Sequence, residues 1–405
     1  MHRRQFIQGL GIAVGTTLAM PATTANESVP VGTTGGRTMD SQELDDLLLG
    51  SSYLGCGGGG GLAEARELIR ADLEAGFEFR KLSVSELGDD DWVASPYTLG
   101  TLAPMSKELQ EQLQRIGPIE LPVLRAFRLL EEYVGKRFAA VIVGEIGPLS
   151  TAEALSLGAR LGVPSLDADT VGRATPEINQ HSVRVAGHDI TPAAGVTLFG
   201  DEVILDSIKD PSREETIFRN LSEISRDVGV CDAAISGTVA RAPYVLVQDS
   251  LTLSTAIGEA VRQSAAAGED PIDAARSAGD GYLLFTGRVR DFDWADSEGF
   301  LVGTVDLDGD GAYSGQRLHL DYKNEHLVAK RDDDIIATCP DLITMVDNTT
   351  FEGVGNPEFE KGQSVSVLGY RSDAVWRRPE GLAVFEPRYF GYDIPFVPIE
   401  QRLAR

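Results

Sequence analysis

The chain is poor in cysteine, poor in lysine and without a long apolar run, and each shortage removes a class of function. It has three cysteines, Cys56, Cys231 and Cys339, in 405 residues. They form no CxxC pair, so neither a zinc knuckle nor a redox dithiol is indicated, and at most one disulfide could form outside a reducing compartment. Seven lysines stand among 36 basic residues, against 62 acidic ones. The net charge of −26 disfavours nucleic acid and anionic membrane surfaces as partners. An acidic, lysine-poor surface with Asp-rich turns at Asp89 to Asp91 and Asp332 to Asp334 resembles proteins adapted to high salt, where self-repulsion is screened. No apolar stretch is long enough for a transmembrane segment in the mature chain. What the chain has in plenty is ordinary globular composition, 42% apolar, with length enough for two or three cores.

The first 25 residues stand apart. Arg3-Arg4-Gln5-Phe6-Ile7, an apolar stretch from Gly9 to Met20 and Thr23-Thr24-Ala25 read as a signal peptide of twin-arginine type. Export to the envelope or beyond is expected, a cytoplasmic location being the alternative. Residues 26–39 read as a mobile leader.

Between Leu54 and Gly61 the sequence is L-G-C-G-G-G-G-G. A glycine run costs backbone entropy at every position, so a folded domain keeps it for a reason. Gly57, Gly58, Gly59 and Gly60, ahead of a helical pattern beginning at Leu62, are expected to aim backbone amides at an anionic group of a small-molecule substrate. No Gly-Lys-Ser/Thr follows, which excludes a nucleotide triphosphate loop, and the preceding segment from Asp40 reads as helix, which disfavours a dinucleotide fold. Cys56, taken to lie at a helix N-terminus, is expected to have a lowered pKa and to be a candidate nucleophile.

Periodicity predicts helices at Asp40 to Leu49, with Glu43 completing a capping box, and at Leu62 to Ala75. Strands are expected at Phe77 to Val84 and Asp91 to Leu99. The continuous apolar run Phe138 to Ile146, a helix from Thr151 to Leu161 and a short run Val163 to Leu166 form a βαβ unit. An α/β N-terminal domain, residues 40–205, is therefore expected. It precedes a C-terminal domain, residues 206–405, that is α+β and mainly β, with helices at Ser212 to Val228 and Leu251 to Ala267 and alternating strands after Gly281.

Ligands of open α/β sheets collect at strand carboxyl ends. Glu145 and the pair Asp167 and Asp169 fall there, with Arg173 as a fork for a substrate carboxylate. Asp167 and Asp169 are candidate catalytic carboxylates, and with His181 they are candidate ligands for one divalent metal ion. Asn324 and Glu325, on a turn between strands, are placed to reach an interdomain cleft, Asn324 to bind and Glu325 to catalyse. Asp306-Leu-Asp308-Gly-Asp310-Gly311 begins like a calcium loop, but Arg317 holds the position of the bidentate glutamate, so an acidic turn is expected.

The glycine block, V-P-S-L-D-A-D-T-V-G-R-A-T-P-E from Val163 to Glu177, D-Y-K-N-E-H-L-V-A from Asp321, C-P-D-L-I from Cys339 and E-P-R-Y-F-G-Y from Glu386 together resemble the S-methyl thiohydantoin desulfurase family, encoded near hydantoinase and oxoprolinase genes. The resemblance spans roughly residues 41 to 398 and implies two domains and removal of sulfur from a five-membered thiohydantoin ring. Pro148 stands where relatives tend to carry glycine. The expected activity is hydrolytic release of a thiol from such a ring. The alternative is a non-catalytic binding or accessory protein of a hydantoinase or oxoprolinase system. A homo-oligomer is expected in either case.

Overall fold

In the computed structural model the described residues are 35–404, apart from 101–104, 120, 211 and 298. The twin-arginine-type leader thus lies outside the described residues. Residues 37 to 39, read from sequence as the end of a mobile segment, are part of the fold: β1 (Arg37–Thr38) pairs with Arg80 and Lys81, and Met39 is buried.

The first helix begins as expected, with the Asp40 carboxylate accepting the amide of Glu43 at 2.8 Å. It runs past Leu49 to Leu54 and takes in Gly50, Ser51 and Ser52. Its partner, Ser250–Ala267, explains the extension. A Cβ on Gly50 would lie 1.7 Å from the carbonyl oxygen of Ser254, and one on Gly258 would lie 1.8 Å from that of Asp46. The two backbones touch through reciprocal glycines, and leucines 44, 47 and 48 are sealed beneath.

The first sheet has the order β1, β2, β5, β4, β3, β8, β6, β7, where β2 is Arg80–Leu82, β3 Trp92–Gly100, β4 Phe138–Val143, β5 Ser165–Asp169, β6 Ala193–Thr197, β7 Glu202–Leu205 and β8 Asp227–Ser236. β9, Val247–Gln248, pairs with β5. Strands β2, β5, β4 and β3 are parallel, and β3, β8, β6 and β7 are antiparallel neighbours. The βαβ unit appears as β4, the helix Pro148–Leu161 and β5, and β4 is buried along its length as a two-faced strand should be. Chain beyond residue 206 returns to this sheet, because β8 and β9 lie in it and Ser250–Ala267 covers it.

The second sheet is wholly antiparallel, in the order β14, β13, β12, β11, β10, β16, β15. Its strands are β10 (Tyr282–Ser297), β11 (Phe300–Gly309), β12 (Arg317–Lys323), β13 (Glu325–Arg331), β14 (Asp334–Thr338), β15 (Leu342–Asp347) and β16 (Ser364–Tyr370). It curls so that β13 packs near β15, around a core that includes Phe285, Val305, Leu307, Leu320 and Val367. The stretch expected as an acidic turn is mostly strand: Asp306 to Gly309 continue β11, paired with β12, and only Asp310 and Gly311 enter the turn, with Asp306 bound to Arg290 and His319 and Asp310 to Arg288. Among the described residues no helix is long and apolar enough to cross a membrane.

Candidate active site

The site forms where β3 parts from β4. The two strands pair only from Trp92 to Ala94, while on its other edge β3 pairs with β8 along its whole length, with an irregularity between Val93 and Ser95 across from Ala233 with its φ of 46°. Irregularities of this kind re-aim side chains beside active sites. The gap is a small pocket of about 130 Å³ at the carboxyl ends of the parallel strands. Ser95, Tyr97 and Thr98 come from β3 and Glu145 from the turn after β4. Glu153 comes from the following helix, His181 from beyond β5, and Glu215 and Arg219 from the helix Ser212–Ser225.

His181 is 5% exposed, and neither ring nitrogen has a hydrogen-bond partner. Its Nε2 lies 3.6 Å from Oδ1 of Asp232, an oxygen also without a partner, while Oδ2 of Asp232 accepts the Tyr97 hydroxyl at 2.9 Å. Burial, with Asp232 and Glu214 nearby, pushes the Tyr97 phenol well up, so it remains a donor. The Ser95 hydroxyl, fully buried, has no partner either. Buried polar atoms in this state need an explanation, and a ligand supplies one. Burial also raises Glu153 to about 7 and raises Glu145, although Glu145 accepts the Thr175 amide at 2.9 Å and the Ser150 hydroxyl at 2.8 Å. Perturbed carboxyls in a cleft beside an unpartnered histidine single this pocket out as the candidate site.

Of the residues singled out in the sequence, the pocket gathers Glu145 and His181. Asp167 and Asp169 lie elsewhere. Asp167 accepts the Thr252 amide at 2.9 Å and the Thr252 hydroxyl, with Lys81 at 3.3 Å, and so serves the start of the helix Ser250–Ala267. Asp169 accepts the amides of Val171 and Gly172 at 2.9 and 2.6 Å. His181 faces Asp232 and not these two, and among the described residues no three His, Cys, Asp or Glu side chains converge to hold a metal ion. The donor set expected for a divalent cation is not assembled.

Burial drives the Asp169 carboxyl up to about 7 from 3.8, the two amides opposing it only in part. The fold binds that proton more tightly than the unfolded chain, so the stabilisation is complete below pH 4 and is lost as pH rises through 7. Asp169→Asn should therefore flatten the pH dependence of unfolding. Between pH 5 and 8 the native protein is expected to lose about 2 kcal/mol from this group, and the variant should lack that loss in urea denaturation.

The remaining candidates form the junction between the two sheets. Gly55 caps the C-terminal end of the first helix, so Cys56 sits at the negative end of a helix dipole and not at an N-terminus. Desolvation raises its thiol pKa, the reverse of the sequence expectation. The glycine run also works in the opposite sense to an anion cradle. The Gly59 carbonyl receives the amides of Leu149 and Ser150 at 2.8 and 3.1 Å, and so occupies the N-terminus of the helix Pro148–Leu161 itself. The carbonyls of Cys56 and Gly57 accept the amides of His326, from β13, and of Asn356, from the connection between β15 and β16. Asn324 closes the β12 to β13 turn with φ 55°, its side chain accepting the amide of Leu301 at 2.8 Å. Glu325 is buried against the Gly58 backbone, and desolvation, then Glu145, drives its carboxyl well above the ordinary range. A Cβ on Gly58 would stand 1.9 Å from Glu325 Oε1. Gly58→Ala should accordingly cost about 1–3 kcal/mol in denaturant unfolding, and an unchanged midpoint would refute the close packing. Arg173, expected as a fork for a substrate carboxylate, is fully buried and spends its guanidinium on the carbonyls of Ala174, Asp341 and His326, 2.9 to 3.0 Å away.

Ser95, Tyr97, Glu153 and Asp232 were not singled out by sequence. Two signals were present: Pro96 inside a strand pattern, which marks a bulge, and Asp232 as a lone carboxylate within the apolar run Val228 to Ile235.

Fold and pocket together define a two-domain protein, an α/β layer joined to a curled antiparallel sheet, with a small pocket at the strand ends of the first. The sequence matches the N-terminal domain of the S-Me-THD-like proteins over residues 42–207 and their C-terminal domain over 209–399. The chain belongs to this family, consistent with S-methyl thiohydantoin desulfurases. A crystal structure of a protein from Chromobacterium violaceum superposes with a TM-score of 0.69 at 23% identity, covering 90% of this chain and 100% of that one, and so shares the fold. Among curated proteins nothing matches.

Proposed function

We propose that the pocket between β3 and β4 hydrolyses the C–S bond of an S-methyl thiohydantoin-type ring. The observation that carries this reading is the buried His181 with both nitrogens unpartnered, beside Asp232 and at the pocket wall. His181 takes a proton from water as its oxygen adds to the ring carbon that bears sulfur, and Asp232 stabilises the imidazolium that forms. The electron pair moves onto the adjacent ring nitrogen. When the tetrahedral carbon collapses, the C–S bond breaks and the thiolate leaves with a proton from Glu153, whose pKa near 7 suits a donor at neutral pH. The water's second proton returns Glu153 to its acid form through solvent, the proton on His181 goes to the ring nitrogen, and the products are a ring carbonyl and methanethiol. Tyr97 holds Asp232, and the Ser95 hydroxyl is free to bind the developing charge.

Export in folded form and a homo-oligomeric state belong to the same proposal. Its test is 2-methylthiohydantoin incubated with the purified protein, the released thiol being followed with a chromogenic thiol reagent. Stoichiometric thiol with turnover supports the reading, and ligand-induced thermal stabilisation without thiol would leave a binding protein instead.

A further inference from the structure

Apart from Glu153, the acidic groups of the pocket are not used by the reaction above. Four carboxylates line it, Glu145, Glu153, Glu177 and Glu215, against the single cation Arg219. Two of the four are already matched: Glu215 holds Arg219 at 2.5 Å, and Glu177 holds Lys323 and accepts the Tyr389 hydroxyl at 2.6 Å. Among the described residues neither Glu145 nor Glu153 is held in an ion pair, and the nearby Arg173 has its guanidinium on backbone carbonyls. The unpartnered Ser95 hydroxyl and His181 ring, both more than nine-tenths buried, open onto the same space. An acidic lining around vacant hydrogen-bonding groups repels an anion and is completed by a cation.

Resting on the reading of this pocket as the ring site, we infer that it selects a positively charged ligand, a five-membered ring carrying an amidinium or a basic arm, with Glu145 as the counter-ion that sets this specificity. A substrate with a carboxylate arm is rejected. Glu145 suits the task because the Thr175 amide and the Ser150 hydroxyl fix its carboxylate without neutralising it.

The test is calorimetric binding of three probes to the intact protein at pH 8. They are 2-methylthio-2-imidazoline as the cation, 2-methylthiohydantoin as the neutral ring, and 2-methylthiohydantoin with a 5-acetate arm as the anion. The cation should bind at least about tenfold more tightly than the neutral ring, and the anion more weakly than either. Glu145→Gln can keep both local hydrogen bonds, and it should abolish most of the cation-to-neutral ratio. A purely structural role would weaken both probes alike. Equal binding of the three probes, preference for the anion, or an unchanged ratio in Glu145→Gln would each overturn the inference. Thiol release from the neutral ring, measured alongside, separates the two claims. Thiol without cation preference sinks this one alone, and cation preference without thiol sinks the desulfurase reading alone.

Discussion

His181→Asn should lower thiol release from 2-methylthiohydantoin by about 10² to 10⁴-fold while leaving the unfolding free energy within about 1 kcal/mol of the native protein. The asymmetry follows from where the ring sits. Its nitrogens make no hydrogen bond inside the fold, so the fold loses little with them, whereas water activation loses its only basic nitrogen in the pocket. Asn is small enough to enter the site and cannot accept a proton at neutral pH. Asp232→Asn should act in the same direction but less strongly, since the carboxylate at 3.6 Å only favours the imidazolium. Single-turnover measurements with thiol detection decide the matter, and a His181→Asn protein of native rate would remove the histidine from the mechanism.

Arg173→Ala should be among the most destabilising single substitutions in the molecule, at about 3 kcal/mol or more by urea denaturation. Removal strands the carbonyls of Ala174, Asp341 and His326 in a dry interior and empties the space beside the Phe385 ring, 5.3 Å from the guanidinium carbon. Arg173→Lys should not rescue it, because an ammonium cannot reproduce a planar fork that serves acceptors from both domains. Since Arg173 does not line the pocket and acts there only through its charge near Glu145, both proteins should retain turnover in the folded fraction. Undiminished stability in Arg173→Ala would refute the clamp.

The contrast between these two residues shows what the sequence could tell. Both follow the buried strand β5, and at that level each is a polar residue at a strand end. The βαβ unit was readable because a two-faced strand leaves a continuous apolar run and a helix leaves a 3.6-residue period. The helix at Asp40 was readable from its cap, though not its last turn, whose surroundings are long-range contacts: Gly50 against Ser254, Ser52 with Gly353 and Tyr53 with Phe351. The site itself was half visible. His181 and Glu145 lie near strand ends that local patterns locate, but their partners Ser95, Tyr97 and Asp232 arrive through antiparallel pairing of β3 with β8, more than 130 residues apart. No local pattern encodes such a pairing. The sense of the glycine run was hidden for a related reason. Whether a loop offers amides or carbonyls depends on what packs against it, and here that is a helix N-terminus about ninety residues later and amides from β13 and the connection between β15 and β16.

The return of β8 to the middle of the first sheet has a consequence for how the protein is made. A ribosome that has released residues 42–207 has delivered one family domain but not a foldable one. β3 still lacks its neighbour at Asp227–Ser236, and the helix Ser41–Leu54, buried over most of its length, still lacks Ser250–Ala267. The nascent chain therefore carries an unclosed apolar face through at least another sixty residues of synthesis. Chaperone occupancy during translation should fall only once the segment through Ala267 has emerged.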